Sequence, residues 1–306
     1  MSAIKLTTMQ MAHFAARGFV RLDVTIPDAI NQRFLNDIGT LSPEPTHIRA
    51  QYRQLMHSSV IPLVDAGTPL AKAYPKDSAV AQMLQVPEVS GAIESLVGAT
   101  PVVDHHFLHV ALPATASDPN TPRRSQHTHQ DSTIDPRQAF DVQLFYFPHA
   151  VTAEMGGTRF IPGSHFRVVS EAAIGRYQNI LGQKHVVCPA GTVFLFHMGL
   201  WHGAGLNQSE QVRTLFKIRL CPTQKQERLW DTQEMTPGPN PRPIFWTDGT
   251  RDTTQLETTL MTPEPWFEAD TGRLEYLNRI RFWRYITGDD TYDADYWLTR
   301  VENEFV

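Results

Sequence analysis

The stretch Gln126-His127-Thr128-His129-Gln130-Asp131 sets three side chains able to ligate a metal within five positions. His129 and Asp131 are two apart, so on an extended segment both project to the same face and can reach one ion. A His-X-Asp tripeptide arises often by chance and sits mostly on solvated loops, so the pair needs a distant partner. His202 supplies one, in Leu200-Trp201-His202-Gly203-Ala204-Gly205-Leu206-Asn207, after the apolar run Thr192 to Phe196. Two histidines and one carboxylate on one face of a metal leave three positions open, which lets iron(II) bind a chelating 2-oxo acid and then O2. Zinc prefers a closed or nearly closed tetrahedral set. The donor types by themselves leave zinc and manganese open.

Arg213 follows eleven residues after His202 and opens the strand Val212 to Leu220. The Gly- and Asn-containing turn before it predicts a hairpin, in which this strand returns beside the end of the previous one and brings a guanidinium near the metal without touching it. A planar fork of donors suits the distal carboxylate of 2-oxoglutarate, and lysine replaces it poorly. A strand-edge salt bridge is the alternative reading of Arg213.

The elements that must carry these residues change character along the chain. Thr7 followed three residues later by Gln10 is a capping-box pattern, and Met11, Phe14 and Ala15 recur at helical spacing before Gly18. A strand through Phe19, Val20 and Leu22 follows, then a helix after Pro27 with Ile30, Phe34, Leu35 and Ile38 on one face, and further helix from Val80 to Val97. From about Val102 the pattern turns to short β-type runs, Val102 to Leu112, Asp141 to Phe147, Thr158 to Ile161, Lys184 to Cys188, Thr192 to His197 and Val212 to Cys221, separated by turns rich in Gly and Pro. Short strands without long helices between them predict an antiparallel sandwich or barrel, with the core between roughly 100 and 225. Beyond a Pro/Gly-rich loop at Pro237 to Pro243, Tyr276, Ile280 and Trp283 make an apolar stripe on a helix. That helix is expected to pack on the outside of the barrel; a homodimer interface or a substrate lid is the alternative.

With 41% hydrophobic residues, the 306-residue chain can bury a substantial core. Its net charge of −5 offers no basic field for nucleic acid, which makes a small molecule the expected partner. Cys188 and Cys221 are read as reduced, no run is long enough to span a bilayer, and the N-terminus lacks a signal-peptide pattern. A cytoplasmic protein is expected.

Taken together, the motifs resemble the phytanoyl-CoA dioxygenase family of iron/2-oxoglutarate oxygenases. The matching pieces are Leu6-Thr7-Thr8-Met9-Gln10 through Gly18-Phe19-Val20, His129-Gln130-Asp131, Glu154-Met155-Gly156-Gly157-Thr158-Arg159-Phe160-Ile161-Pro162-Gly163-Ser164-His165, Ala190-Gly191-Thr192-Val193-Phe194-Leu195-Phe196-His197, and His202-Gly203 with Asn207 and Arg213. They span roughly residues 6 to 220 in the family's order. The resemblance implies a fold that is mainly β with flanking helices, built on a double-stranded β-helix (a jelly-roll, cupin-like core) of two four-stranded sheets. A single domain over 1–306 is expected, mainly helical to 100, jelly roll over 100–225, and a divergent extension over 226–306.

The resemblance further assigns His129, Asp131 and His202 to Fe(II) and Arg213 to the 2-oxoglutarate carboxylate. Phe145 stands where the family often has a tryptophan lining the cosubstrate pocket, and Ala204 where some members carry a serine that bonds the cosubstrate. His105, His106 and His109 lie on a strand that the family uses near the cosubstrate; His109 shares a face with Phe107 and Ala111 and is a candidate for the pocket wall. His165 is read as structural, His127 as standing behind the ligands and His197 as ending a strand. The activity implied is O2-dependent oxidation, hydroxylation first among the outcomes, of a small organic metabolite with release of succinate and CO2. Relatives that halogenate carry a small residue at the position of Asp131, so that outcome is not expected. A catalytically silent metal- or metabolite-binding member is the alternative, while a zinc hydrolase lacks its His-Glu-X-X-His motif. Arg123 and Arg124 before the metal motif, with Arg159, suggest an anionic group on the substrate; ordinary solvated arginines are the competing reading.

Overall fold

The computed structural model describes residues 2–117, 120–131, 141–167, 170–176, 179–234, 256–262, 264 and 272–290. The Pro237 to Pro243 loop, Trp246, Trp266 and Trp297 lie outside them. Nine strands are assigned among the described residues: β1 (Phe19–Leu22), β2 (Thr68–Pro69), β3 (Val102–Ala111), β4 (Val142–Phe147), β5 (Thr158–Phe160), β6 (Lys184–His185), β7 (Thr192–His197), β8 (His202–Ala204) and β9 (Arg213–Cys221). They form a larger antiparallel sheet in the order β1-β7-β4-β9-β3-β2 and a smaller one in the order β6-β5-β8. The fold class is as expected, mainly antiparallel β with flanking helices, but the sheets have six and three strands rather than four and four, and no barrel is closed among the described residues. The N-terminal strand β1 widens the larger sheet by pairing with β7, Val20 opposite Leu195.

Alternation along the strands divides the core into two layers. Every residue of β4 is buried, the signature of a strand covered on both faces. Val142, Leu144 and Tyr146 pack with Leu195, Phe216 and Ile218 under the helices, whereas Phe145 and Phe147 join Phe160, Phe194, Phe196 and Leu215 between the sheets. Phe196 is the hub of the inner layer, with ring centroids 5.0 Å from Phe145, 5.1 Å from Phe160 and 5.2 Å from Phe194.

The covering helices are α1 (Thr8–Arg17), α2 (Asp28–Ile38), α3 (Pro45–Leu55), α4 (Leu70–Ala73), α5 (Ala79–Leu84) and α6 (Pro87–Val97). In α1 the Thr7 and Gln10 side chains cap each other's backbone N–H groups, and Gly18 ends the helix at φ +80. The helical stretch from Val80 to Val97 is two helices, because Pro87 cannot donate to the preceding turn. In α2 the ring of Phe34 meets Tyr146 edge-on at 5.4 Å, and the Tyr146 hydroxyl donates to Asn31 Oδ1 at 2.6 Å.

Three further helices are α7 (Glu171–Ile174), α8 (Leu256–Met261) and α9 (Gly272–Thr287). The expected apolar stripe of α9 is buried against the chain itself: Tyr276, Ile280 and Trp283 are all covered, α9 contacts α1 and α8, and the Trp283 ring lies 5.6 Å from Trp230. Two charges on this helix, Glu275 and Arg279, are buried too. Glu275 accepts from Arg167 at 2.9 Å and from Arg279, which also donates to the Thr262 carbonyl, while Arg17 pairs with Glu264 at 2.5 Å.

Candidate active site

The segment carrying His129 and Asp131 is laid along the free edge of the smaller sheet. His129 and His202 exchange both backbone hydrogen bonds at 2.9 Å, and Gln126 N donates to the Ala204 carbonyl at 2.9 Å. His202, the distant candidate ligand, is thus the cross-strand neighbour of His129. Side chains fix the same edge. The Gln126 side chain accepts from Ala204 N, Arg159 donates to the Gln126 carbonyl, and Gln130 Nε2 donates to the carbonyls of Arg167 at 2.9 Å and Gly199 at 3.0 Å.

His129, Asp131 and His202 each offer one ligand atom, and those atoms lie within 4.8 Å of one another. Asp131 Oδ1 is 3.4 Å from His129 Nε2 and 3.8 Å from His202 Nε2. A carbonyl can only accept, so the contacts of His129 Nδ1 with the His127 carbonyl at 2.9 Å and of His202 Nδ1 with the Leu200 carbonyl at 2.8 Å make Nδ1 the protonated nitrogen in both rings. Nε2 is the donor atom turned toward the carboxylate. Burial pushes His202 down to about 4 against the opposing pull of Asp131, so its imidazole is neutral at pH 7. For His129 burial acts in the same direction, but the contacts with Asp131 and the His127 carbonyl outweigh it and raise its pKa. Burial alone would raise the Asp131 carboxyl; His129, His202 and Lys217 together hold it well below the usual carboxylate range.

Arg213 is buried, with one guanidinium nitrogen donating to the carbonyls of Met155, at 3.0 Å, and Gly156. Burial lowers its pKa to about 10, which leaves it a cation at neutral pH. The hairpin expected between His202 and Arg213 is not formed. β8 pairs with β5 in the smaller sheet, while β9 lies between β4 and β3 in the larger one, so the chain crosses between sheets. Asn207 organises the crossing: its side-chain amide donates to the Ala111 carbonyl at 2.9 Å and the Gln211 carbonyl at 2.7 Å.

Phe145 is buried with its ring 6.2 Å from that of His202. His109 sits at the open side of the site, exposed to solvent. Desolvation by the surrounding side chains, with the nearby Lys217 cation adding to it, pushes it down to about 4. His106 instead faces the helices, bonded to the Tyr74 hydroxyl at 2.8 Å. His165 and His197 are buried beside each other, His165 Nε2 donating to the Ala15 carbonyl at 3.1 Å and His197, which ends β7, accepting at Nδ1 from Gly199 N at 3.0 Å. The His127 carbonyl orients His129, a contact that any residue there could make. Arg159, read as a further possible contributor to an anion contact, is buried under the segment carrying His129 and Asp131 and donates to the Gln126 carbonyl.

The residue missed by sequence reasoning is Lys217. Its Nζ lies 2.5 Å from Asp131 Oδ2 and 5.8 Å from the centre of the Phe145 ring. The available signal was alternation: Lys217 is four residues after Arg213 on one strand, hence on the same face.

A family model described as phytanoyl-CoA dioxygenase matches residues 14–215, more than half of the chain. The chain belongs to the phytanoyl-CoA dioxygenase family. The match takes in His109, His129, Asp131, Phe145, His202 and Arg213 and stops short of Lys217. Uncharacterized proteins of Mycobacterium bovis and Mycobacterium tuberculosis are each 28% identical over 134 residues, 42% of this chain. The chain spans less than half the length of these curated relatives, 46% of each. Solved structures similar to this family member include the non-haem alpha ketoglutarate dependent carbocyclase SnoK from nogalamycin biosynthesis, at 18% identity over 71% of this chain and 84% of that one with a TM-score of 0.48. Another is the epimerase SnoN in complex with Fe3+, alpha ketoglutarate and nogalamycin RO, at 14% identity over 70% and 82% with a TM-score of 0.47. A third is apo HygX from Streptomyces hygroscopicus, at 15% identity over 72% and 87% with a TM-score of 0.48.

Proposed function

We propose that this family member is an Fe(II)- and 2-oxoglutarate-dependent dioxygenase that hydroxylates a small organic molecule, with release of succinate and CO2. The convergence of His129, Asp131 and His202 carries the reading. The donor set fits a divalent iron: both imidazoles turn Nε2 toward the carboxylate in the tautomer a metal requires, and three donors leave coordination positions for a 2-oxo acid and O2. When bound, the metal and cosubstrate supply the oxidising chemistry, and the chain's residues bind, orient and exclude water.

In this reading Arg213 takes the distal carboxylate of 2-oxoglutarate, with its Met155 and Gly156 contacts fixing the plane of the fork. Phe145 closes the wall beside His202, and His109 flanks the open side. A carboxylate at position 131 favours hydroxylation over halogenation, and the complete donor set with Arg213 favours an enzyme over a silent metal-binding member.

Anaerobic addition of iron(II) and 2-oxoglutarate is expected to produce a visible metal-to-ligand charge-transfer band that His129→Ala and His202→Ala each abolish. A full-strength band in both variants would refute the ligand assignment. An anionic group on the substrate would meet Arg124, exposed, and Arg123, half-buried, just before the metal segment. Arg123→Ala and Arg124→Ala are then expected to raise the substrate KM, with added salt mimicking the effect. Unchanged KM and salt dependence would return both residues to plain surface.

A further inference from the structure

Lys217 has no part in the reading above, yet it is the most committed side chain around the three donors. It stands on β9, the strand between β4 and β3, opposite Phe107 on one side and Phe145 on the other. Its side chain is buried, and the ammonium reaches Asp131 Oδ2 at 2.5 Å above the face of the Phe145 ring. The two carboxylate oxygens of Asp131 therefore have different surroundings. Oδ1 faces the Nε2 atoms of His129 and His202, whereas Oδ2 is tied to a cation carried by the middle of a sheet. Turning the carboxylate so that both oxygens faced the imidazoles would strand a buried ammonium, a change that costs far more than the loss of a surface pair.

We propose that Lys217 is a positioning residue that keeps Asp131 a one-oxygen ligand, holding Oδ2 back so that the centre retains room for a chelating dianion. The proposal rests on the oxygenase reading and adds to it a consequence for cosubstrate selectivity. A carboxylate free to offer both oxygens would occupy a position that the 2-oxo acid needs, and the loss of one positive charge beside that position would further disfavour a dianion. The same loss removes a cation that repels the metal ion. Metal affinity and cosubstrate affinity are thus expected to move in opposite directions when the lysine is neutralised.

The test compares the full-length protein with Lys217→Met and Lys217→Arg. Cobalt(II) titration with its visible d–d spectrum reads the metal centre without catalysis, and anaerobic 2-oxoglutarate titration of the iron(II) form reads the cosubstrate. Lys217→Met is expected to bind cobalt(II) as tightly as the wild type or more tightly, with an altered d–d spectrum, and to bind 2-oxoglutarate about tenfold or more weakly. Lys217→Arg, which can still hold Oδ2, should restore both. An unchanged cobalt spectrum and unchanged 2-oxoglutarate affinity in Lys217→Met would overturn the proposal. Parallel loss of both affinities, as a general disturbance of the fold would give, would overturn it too. Failure of the oxygenase reading looks different: the wild type would bind cobalt(II) but give no charge-transfer band with iron(II) and 2-oxoglutarate, and the cobalt spectra alone would then decide the role of Lys217.

Discussion

Arg213 and Lys217 stand on one face of β9, and their surroundings separate their work. The guanidinium of Arg213 is oriented by two backbone carbonyls, while the ammonium of Lys217 is engaged by a carboxylate. Arg213→Leu is accordingly expected to leave iron binding intact and to weaken 2-oxoglutarate. A charged hydrogen bond to a buried carboxylate contributes about 1.5 to 3 kcal/mol, so the affinity should fall about ten- to a hundredfold in an anaerobic titration; an unchanged affinity would move the clamp elsewhere. The convergence of His129, Asp131 and His202, and Arg213 as a candidate clamp, were legible in the sequence because a local His-X-Asp pair, a distant His-Gly and an arginine at a strand start each leave a mark without knowledge of pairing. Lys217 was not legible, since a lysine in an apolar strand acquires meaning only when the partner across the cleft is known.

At the scale of elements, the positions of β1, β3, β4, β5, β7 and β9 were legible to within a residue or two, because these β-type runs are apolar and bounded by Gly and Pro, whereas β6 stops three residues before the expected Cys188 and the short β2 and β8 were not anticipated. Strand pairing was not legible. The turn between β8 and β9 has the composition of a hairpin, yet Asn207 bonds it to the end of β3 and the chain changes sheets there. One strand end also makes stability depend on pH. His197, at the end of β7, is pushed down to about 3 by burial, from the ordinary 6.5 of a solvated imidazole. The unfolded chain takes up the proton first, so this contribution is fully present above pH 6.5 and declines as pH falls toward 3. Burial lowers His165 beside it in the same sense. Urea midpoints should therefore fall between pH 7 and pH 4.5, and His197→Gln should show a shallower fall; an identical pH profile in the variant would assign the loss to other groups.

Across the whole molecule, the tail is coupled to the site by buried charge. Gln130, between His129 and Asp131, donates to the carbonyl of Arg167, and the Arg167 guanidinium is held by Glu275 of α9. Glu275→Gln takes the charge from a buried carboxylate that Arg167 and Arg279 both bond, and breaking a buried pair from one side costs about 3 to 5 kcal/mol. The denaturation midpoint should drop accordingly, and a loss within about 0.5 kcal/mol, the range of ordinary surface substitutions, would mean that the network is dispensable. The sequence announced α9 through its apolar stripe, but its charged residues gave no hint of burial, because Arg and Glu in a tail helix usually face solvent.

The contact of Trp230 with Trp283 makes this docking visible to light. Two indoles with centroids 5.6 Å apart in a fixed tilted arrangement are close enough for their transitions to couple, so the pair should contribute a near-ultraviolet circular dichroism couplet that Trp283→Phe removes. Release of the tail can then be timed apart from collapse of the sheets, and a couplet lost at lower denaturant than the far-ultraviolet β signal would identify the tail as a separate cooperative unit.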